Sequence, residues 1–264
     1  MIKIGPITYG EFVKRPSATC KTPYVADVLV GNELKLCHSL SLGCCGLIDK
    51  GTTSQMILTD IDIDNYKRVC SYRIQFVKLP TNVFVCVNPK MSEDLVECVF
   101  NEKLFPENLK LNDSICVKRE TTFKINKNEK SRFDFSGIDS SNNKWVLEVK
   151  SVPLVDERNV SYFPDGYRKK KDSVVSPRAL KHINHLVEIK KQGYRSFLVF
   201  CIQRSDSMGS KISDNDKVYK DAVQKASQEG VNIVAIYFDW EEETSSNMIF
   251  AKLNRIEEVI FNDS

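Results

Sequence analysis

Residues 131–150 read S-R-F-D-F-S-G-I-D-S-S-N-N-K-W-V-L-E-V-K. Two extended runs, Arg132 to Phe135 and Lys144 to Lys150, flank a polar G-I-D-S-S-N-N segment that has the composition of a hairpin connection. The stretch therefore predicts a β-hairpin. Side chains alternate along a strand, so Glu148 and Lys150 share one face while Trp145, Leu147 and Val149 take the other. Closing the hairpin would set Asp134 across from Glu148, gathering two carboxylates and one lysine at a single place.

Such a set suits metal-dependent phosphodiester cleavage. Hard divalent cations take oxygen ligands, and Mg²⁺ is commonly bound through one or two carboxylates together with water and substrate phosphate. Asp134 and Glu148 are the candidate ligands for Mg²⁺ or Mn²⁺, with Glu129 as a third carboxylate. Lys150 would bring positive charge to the place where water is deprotonated or where a phosphorane's charge grows. An E-x-K pair is also an ordinary strand salt bridge, so the surrounding sequence has to decide between the two.

That surrounding sequence resembles a known family. S-R-F-D-F, W-V-L-E-V-K-S-V-P-L, Y-F-P-D-G, V-S-P-R-A-L-K-H-I and F-C-I-Q-R-S-D follow one another as in the sugar fermentation stimulation protein A family, over residues 129–238. Upstream, A-D-V-L-V-G-N-E-L-K-L-C-H-S-L-S-L-G resembles the family's N-terminal segment, with its histidine at His38. The resemblance implies an OB-like β-barrel domain followed by a nuclease-like domain of the PD-(D/E)xK superfamily, and DNA binding. The chain departs from the family pattern in three places. A segment from Tyr167 to Val174 is inserted, Ala179 stands for a usual glycine, and S-L-S-L-G replaces an N-T-G in which the asparagine is lost.

With 264 residues, 42% of them hydrophobic, the chain can bury one large core or two modest ones. We expect two domains: residues 1–90, an OB-like barrel, and residues 91–264, a mixed-sheet restriction-endonuclease-like domain with flanking helices. No apolar run is long enough to span a bilayer and the N-terminus lacks a signal-peptide core, so a soluble, cytoplasmic protein without a membrane partner is expected. The formal net charge of +3 is too small to argue nucleic-acid binding by itself. Nine cysteines, an odd number, without a C-x-x-C pair, read as free thiols in a reducing compartment rather than as a disulfide frame or a zinc site.

In the N-terminal part, Y-V-A-D-V-L-V and E-L-K-L-C flank Gly31-Asn32, a two-residue link suited to a tight hairpin turn. Further strands are predicted at Gln55–Leu58, Cys70–Lys78 and Val83–Val87, and a short helix after Asn88-Pro89. Arg15, Lys35, Lys67, Arg68 and Arg73 are candidates for a basic face on this barrel. Residues 118–130 are read as an opening strand of the second domain. Beyond the hairpin, Ser176-Pro177 predicts a helix start and Gly193 its stop, with a second helix over 215–229. The apolar runs S-F-L-V-F-C-I and V-N-I-V-A-I-Y-F read as strands on either side of it.

Arg132 on the hairpin, the basic run Lys169, Lys170 and Lys171 in the inserted loop, and Arg178, Lys181 and His182 at the start of the helix are candidates for binding a phosphate backbone. Gln203, which matches a glutamine of the family, is another. For His182 and His185, three apart, the sequence offers no obvious carboxylate partner, and surface or phosphate contact is the expectation. Two function classes follow: a Mg²⁺- or Mn²⁺-dependent nuclease with Asp134, Glu148 and Lys150 as its catalytic set, or a non-catalytic nucleic-acid-binding or regulatory protein that keeps the nuclease-like fold. DNA is favoured over RNA as partner. A small-molecule enzyme is disfavoured because no Gly-rich phosphate loop or nucleophile motif is present.

Overall fold

The computed structural model describes residues 2–61, 69–164, 166 and 174–259. They form a mixed α+β fold, mostly sheet, with three α-helices. The chain packs as two units, neither of them continuous in sequence. The first runs to Leu95 and takes in Gln203–Ser207 and Tyr237–Asn254; the second holds Val96–Ile202, Met208–Ile236 and the residues from Arg255 on. Among the described residues no helix is long and apolar enough to cross a membrane.

The first unit is built on β1 (Lys3–Ile4), β2 (Ile7–Lys14), β3 (Val25–Val30), β4 (Glu33–Ser39), β5 (Gln55–Asp60), β6 (Tyr72–Lys78) and β7 (Phe84–Cys86). Gly31 turns the chain from β3 into β4 at φ +58°, where a side chain would be strained, and Val30 pairs with Glu33 across the two-residue link. Six strands follow the order β4-β3-β2-β5-β6-β7, and β4 also pairs in parallel with β6, which brings the run of pairings back to its start. The pleat sends Ala26, Val28, Cys37, Met56, Leu58, Ile74 and Val77 into one apolar core. β2 was not foreseen from the sequence. Its Gly10 lies so close to β3 that a Cβ there would stand 2.5 Å from Val28 Cγ1.

The second unit contains β8 (Ser114–Lys124), β9 (Lys130–Asp139), β10 (Lys144–Val152), β11 (Val160–Phe163), β12 (Arg195–Ile202) and β13 (Gly209–Ile212). It also holds α2 (Pro177–Lys191), α3 (Lys217–Gln228), the second half of α1 (Lys90–Asn101) and the start of β14 (Asn232–Glu243). β8, β9 and β10 form an antiparallel meander, and β12 lies parallel to β10 on its other side. β11 and β13 make a separate parallel pair. The expected closing strand continues past Phe238 to Glu243, and a further strand, β15 (Met248–Glu258), follows and pairs with β1.

The hairpin predicted around residues 131–150 is longer than its sequence suggests. β9 extends to Asp139, so the connection shrinks to residues 140–143. Two features carry β9 through what reads as turn sequence. Gly137 pairs with Trp145 and gives the indole its space, since a Cβ at Gly137 would lie 2.3 Å from Trp145 Cζ2. Asp139 then holds the tight turn with its carboxylate, accepting from Ser141 N at 3.0 Å and Asn143 N at 2.8 Å.

Each face of β10 has its own cover. Trp145 stacks on Phe100 of α1 at 5.1 Å between ring centroids, and Phe100 also meets Phe135. The opposite face, with Glu148, lies under α2. Ser176 starts α2 by accepting from Ala179 N, with Pro177 in the first turn, as the S-P dipeptide predicts. Ile183, Leu186 and Ile189 then form its buried stripe.

Candidate active site

Pairing of β9 with β10 runs from Ile138↔Lys144 to Phe135↔Leu147, and Asp134 is the residue of β9 next to that last pair. Asp134 secures this end of the ladder, its Oδ2 accepting from Val149 N at 2.7 Å. Asp134 therefore lies against the backbone of β10 at Val149, one residue along from Glu148.

Glu148 is only 2% exposed. A buried carboxylate needs partners, and two donors converge on its Oε1: Lys150 Nζ and His182 Nδ1. Lys150 Nζ lies 3.4 Å from His182 Nδ1. Glu148 Oε2 is buried and has no hydrogen-bond partner among the described residues. Burial pushes the Glu148 carboxyl up, but the Lys150 ammonium and then His182 outweigh it and hold it below the usual carboxylate range. The outcome is an ionised carboxylate with one oxygen doubly donated and the other bare.

Around this centre the structure distributes the other sequence candidates. His182, expected at the surface, is buried on the α2 face and bonded to Glu148. Its neighbour His185 donates from Nε2 to Glu129 Oε1 at 3.2 Å, and Lys181 Nζ reaches the same oxygen at 2.8 Å. Glu129 is thus held by α2, and Lys181 lowers its carboxyl pKa. Among the described residues no three or more of His, Cys, Asp and Glu stand together as a metal cage, and Glu129 is bonded to α2 instead. Arg132 is exposed and paired with Glu120 at 3.2 Å, and Arg178 is exposed on the first turn of α2. Gln203 is fully buried in the first unit, where its backbone carbonyl accepts from Cys86 N at 3.2 Å. In the first unit Arg15 is tied to Asp49 and Lys35 to Glu33. Lys169, Lys170, Lys171, Lys67 and Arg68 lie outside the described residues.

Sequence reasoning missed Tyr219 of α3. It is fully buried, and its hydroxyl has no hydrogen-bond partner among the described residues. Burial first, then the charges of Glu148 and Asp216, push its ionisation far up, which makes it a neutral phenol in the electrostatic surroundings of the acidic centre. Only a helical-spacing signal was available for it, and that signal reads as core.

The model of the sugar fermentation stimulation protein RE domain matches residues 90–244. The chain belongs to the sugar fermentation stimulation protein family. A homologue from Pelagibacter ubique is 32% identical over 228 residues, covering 86% of this chain and 87% of the relative. One from Clostridium novyi is 29% identical, covering 88% of this chain and 90% of the relative. The fold is similar to that of SfsA from Pyrococcus furiosus, solved in complex with Ca²⁺, at a TM-score of 0.75 and 18% identity over 96% of both chains. Membership in the sugar fermentation stimulation protein family implies a nucleic-acid-binding protein of that type. Asp134, Glu148, Lys150 and His182 all fall inside the stretch that matches the family's RE domain.

Proposed function

We propose that this protein binds nucleic acid, DNA in preference to RNA, and hydrolyses its phosphodiester bonds with Mg²⁺ or Mn²⁺ held by Asp134 and Glu148. In this reading the closed run of pairings β4-β3-β2-β5-β6 in the first unit is a small OB-like barrel for nucleic acid. The second unit, an antiparallel meander joined to a parallel strand and flanked by helices, is a PD-(D/E)xK nuclease-like core.

The observation that carries the proposal is Glu148 Oε2, a buried carboxylate oxygen without a partner among the described residues, one residue along β10 from the backbone N–H that Asp134 accepts. Leaving such an atom unsatisfied costs about 1–3 kcal/mol, and more for a charged group. A hard cation would relieve that cost, and the oxygen donors of the two acids fit Mg²⁺ or Mn²⁺. A divalent ion supplies Lewis-acid polarisation of the phosphate and a lowered pKa for attacking water. Lys150 places its ammonium beside Glu148, where its charge favours the negative charge that develops on phosphate oxygens in the transition state. The Ca²⁺ in the Pyrococcus furiosus structure supports a divalent-cation site in the family.

The test pairs Mn²⁺ calorimetry with cleavage of single- and double-stranded DNA and RNA by the parent protein, Asp134→Ala and Glu148→Ala. Each variant is expected to stay folded, lose the metal and lose cleavage. If the parent binds nucleic acid but cleaves nothing in the panel with either ion, the non-catalytic binding protein is the correct reading.

A further inference from the structure

We infer that His182 is a positioning residue for Glu148, its Nδ1–H fixing Oε1 so that Oε2 is the oxygen offered to a cation. The inference rests on the metal-dependent reading of the site.

The hydrogen-bond direction follows from the chemistry of the pair. An ionised carboxylate only accepts, so the ring nitrogen bonded to it must carry the proton. That nitrogen is Nδ1. Lys150 Nζ is likewise a donor only, so its 3.4 Å approach to Nδ1 is not a hydrogen bond between them. Both groups instead aim their hydrogens at Oε1.

The ring is held in that pose by packing. His182 sits in the middle of α2, buried between Ala179 and Leu186 on the helix's apolar side. Its edge meets the fully buried Phe133 ring, with centroids 6.3 Å apart at an interplanar angle of 68°. Ser176 and Pro177 begin the helix one and a half turns earlier and set its register on the sheet.

An asymmetric carboxylate results: one oxygen saturated by two charge-assisted donors, the other bare and buried. Without the imidazole, Glu148 could turn about its last torsion and the Lys150 ammonium could cover Oε2, in competition with a cation. Partners that orient a metal-ligating group change metal affinity by about 10- to 100-fold when they are removed.

A merely structural salt-bridge role predicts a different outcome, and side-chain geometry separates the two. The amide N–H of asparagine falls near the position of a histidine Nδ1–H, whereas that of glutamine falls near Nε2. Full-length parent, His182→Ala, His182→Asn and His182→Gln are titrated calorimetrically with Mn²⁺ after their folds have been compared by circular dichroism and melting. The Ala and Gln variants are expected to bind Mn²⁺ about 10- to 100-fold more weakly, with Asn restored toward the parent. Should the Ala variant fail to fold, the Asn and Gln pair carries the test. Equal affinity across the folded variants would overturn the inference and leave the metal-dependent reading standing. No Mn²⁺ uptake by the parent would overturn that reading and the inference together. A readout without metal completes the experiment: ¹⁵N–¹H correlation of the imidazole in the metal-free parent is expected to find Nδ1 protonated. A bare Nδ1 would overturn the inference whatever the calorimetry shows.

Discussion

Under the proposed reaction, replacing Lys150 is expected to separate chemistry from binding more sharply than replacing either acid. Its ammonium is bonded to Glu148, and removing it leaves both carboxylates in place. Lys150→Ala is expected to keep nucleic-acid affinity while slowing cleavage by about 100-fold or more, the scale of a lost acid–base group. Comparing single-turnover rates with binding constants checks this, and a variant that cleaves like the parent would remove Lys150 from the chemistry. A second residue reports on stability alone. Lys211 first, then the backbone N–H groups of Val160 and Arg158, lower the Asp156 carboxyl from its ordinary 3.8 to about 2. A carboxyl depressed by folding stabilises the native state above its unfolded pKa and loses that contribution as pH falls through the folded one. The melting temperature of Asp156→Asn should therefore lie below the parent's near neutral pH, with the gap closing as pH is lowered from about 4 to about 2. A gap that stays constant over that range would show that the ion pair is idle. At this scale the sequence was legible for the residues close together on one strand. Glu148 and Lys150 share a face because a strand has period two, whatever surrounds it. The partner of His182 was not legible, because Glu148 lies 34 residues away and only the packing of α2 on the sheet joins them.

The elements were read best where local chemistry is strong. Ser176-Pro177 starts α2 and Gly31 turns β3 into β4 through preferences of one or two residues, and both signals hold. The end of β9 was misread for the opposite reason. Gly137 has turn-like composition, yet it sits inside a strand because the Trp145 indole needs the space a side chain would fill. Gly137→Ala is expected to destabilise the protein by about 1–3 kcal/mol, the usual cost of overfilling a packed site. Chemical denaturation measures it, and a neutral substitution would mean the indole moves aside freely. β2, β11, β13 and β15 escaped prediction. Short or half-exposed strands such as β11 and β13, four residues each, carry too few alternations to stand out, and pairing across long sequence separations stabilises them.

For the whole molecule, charge distribution bears on binding more than net charge does. The run Lys169, Lys170 and Lys171 remains the densest basic stretch of the inserted segment. Replacing all three by alanine is expected to weaken duplex DNA binding alike for all sequences, with the log–log salt slope falling by about 0.9 for each phosphate no longer neutralised. Titrations at several salt concentrations decide it, and an unchanged slope would show that the run does not touch the backbone. Within the first unit, Tyr9 donates to Glu242 at 2.5 Å and Phe76 meets Trp240 edge to face, so residues far apart in sequence meet there.

The sequence by itself determined the mixed strand and helix content, the E-x-K face of β10 and the family resemblance, because propensity, periodicity and motif order all act between near neighbours. Tertiary structure alone decided that residues 203–207 and 237–254 return to the first unit, that Glu129 is claimed by α2, and that His182 meets Glu148. Each of those outcomes depends on which surfaces are buried against one another, and burial is a property of the packed chain that no local stretch encodes.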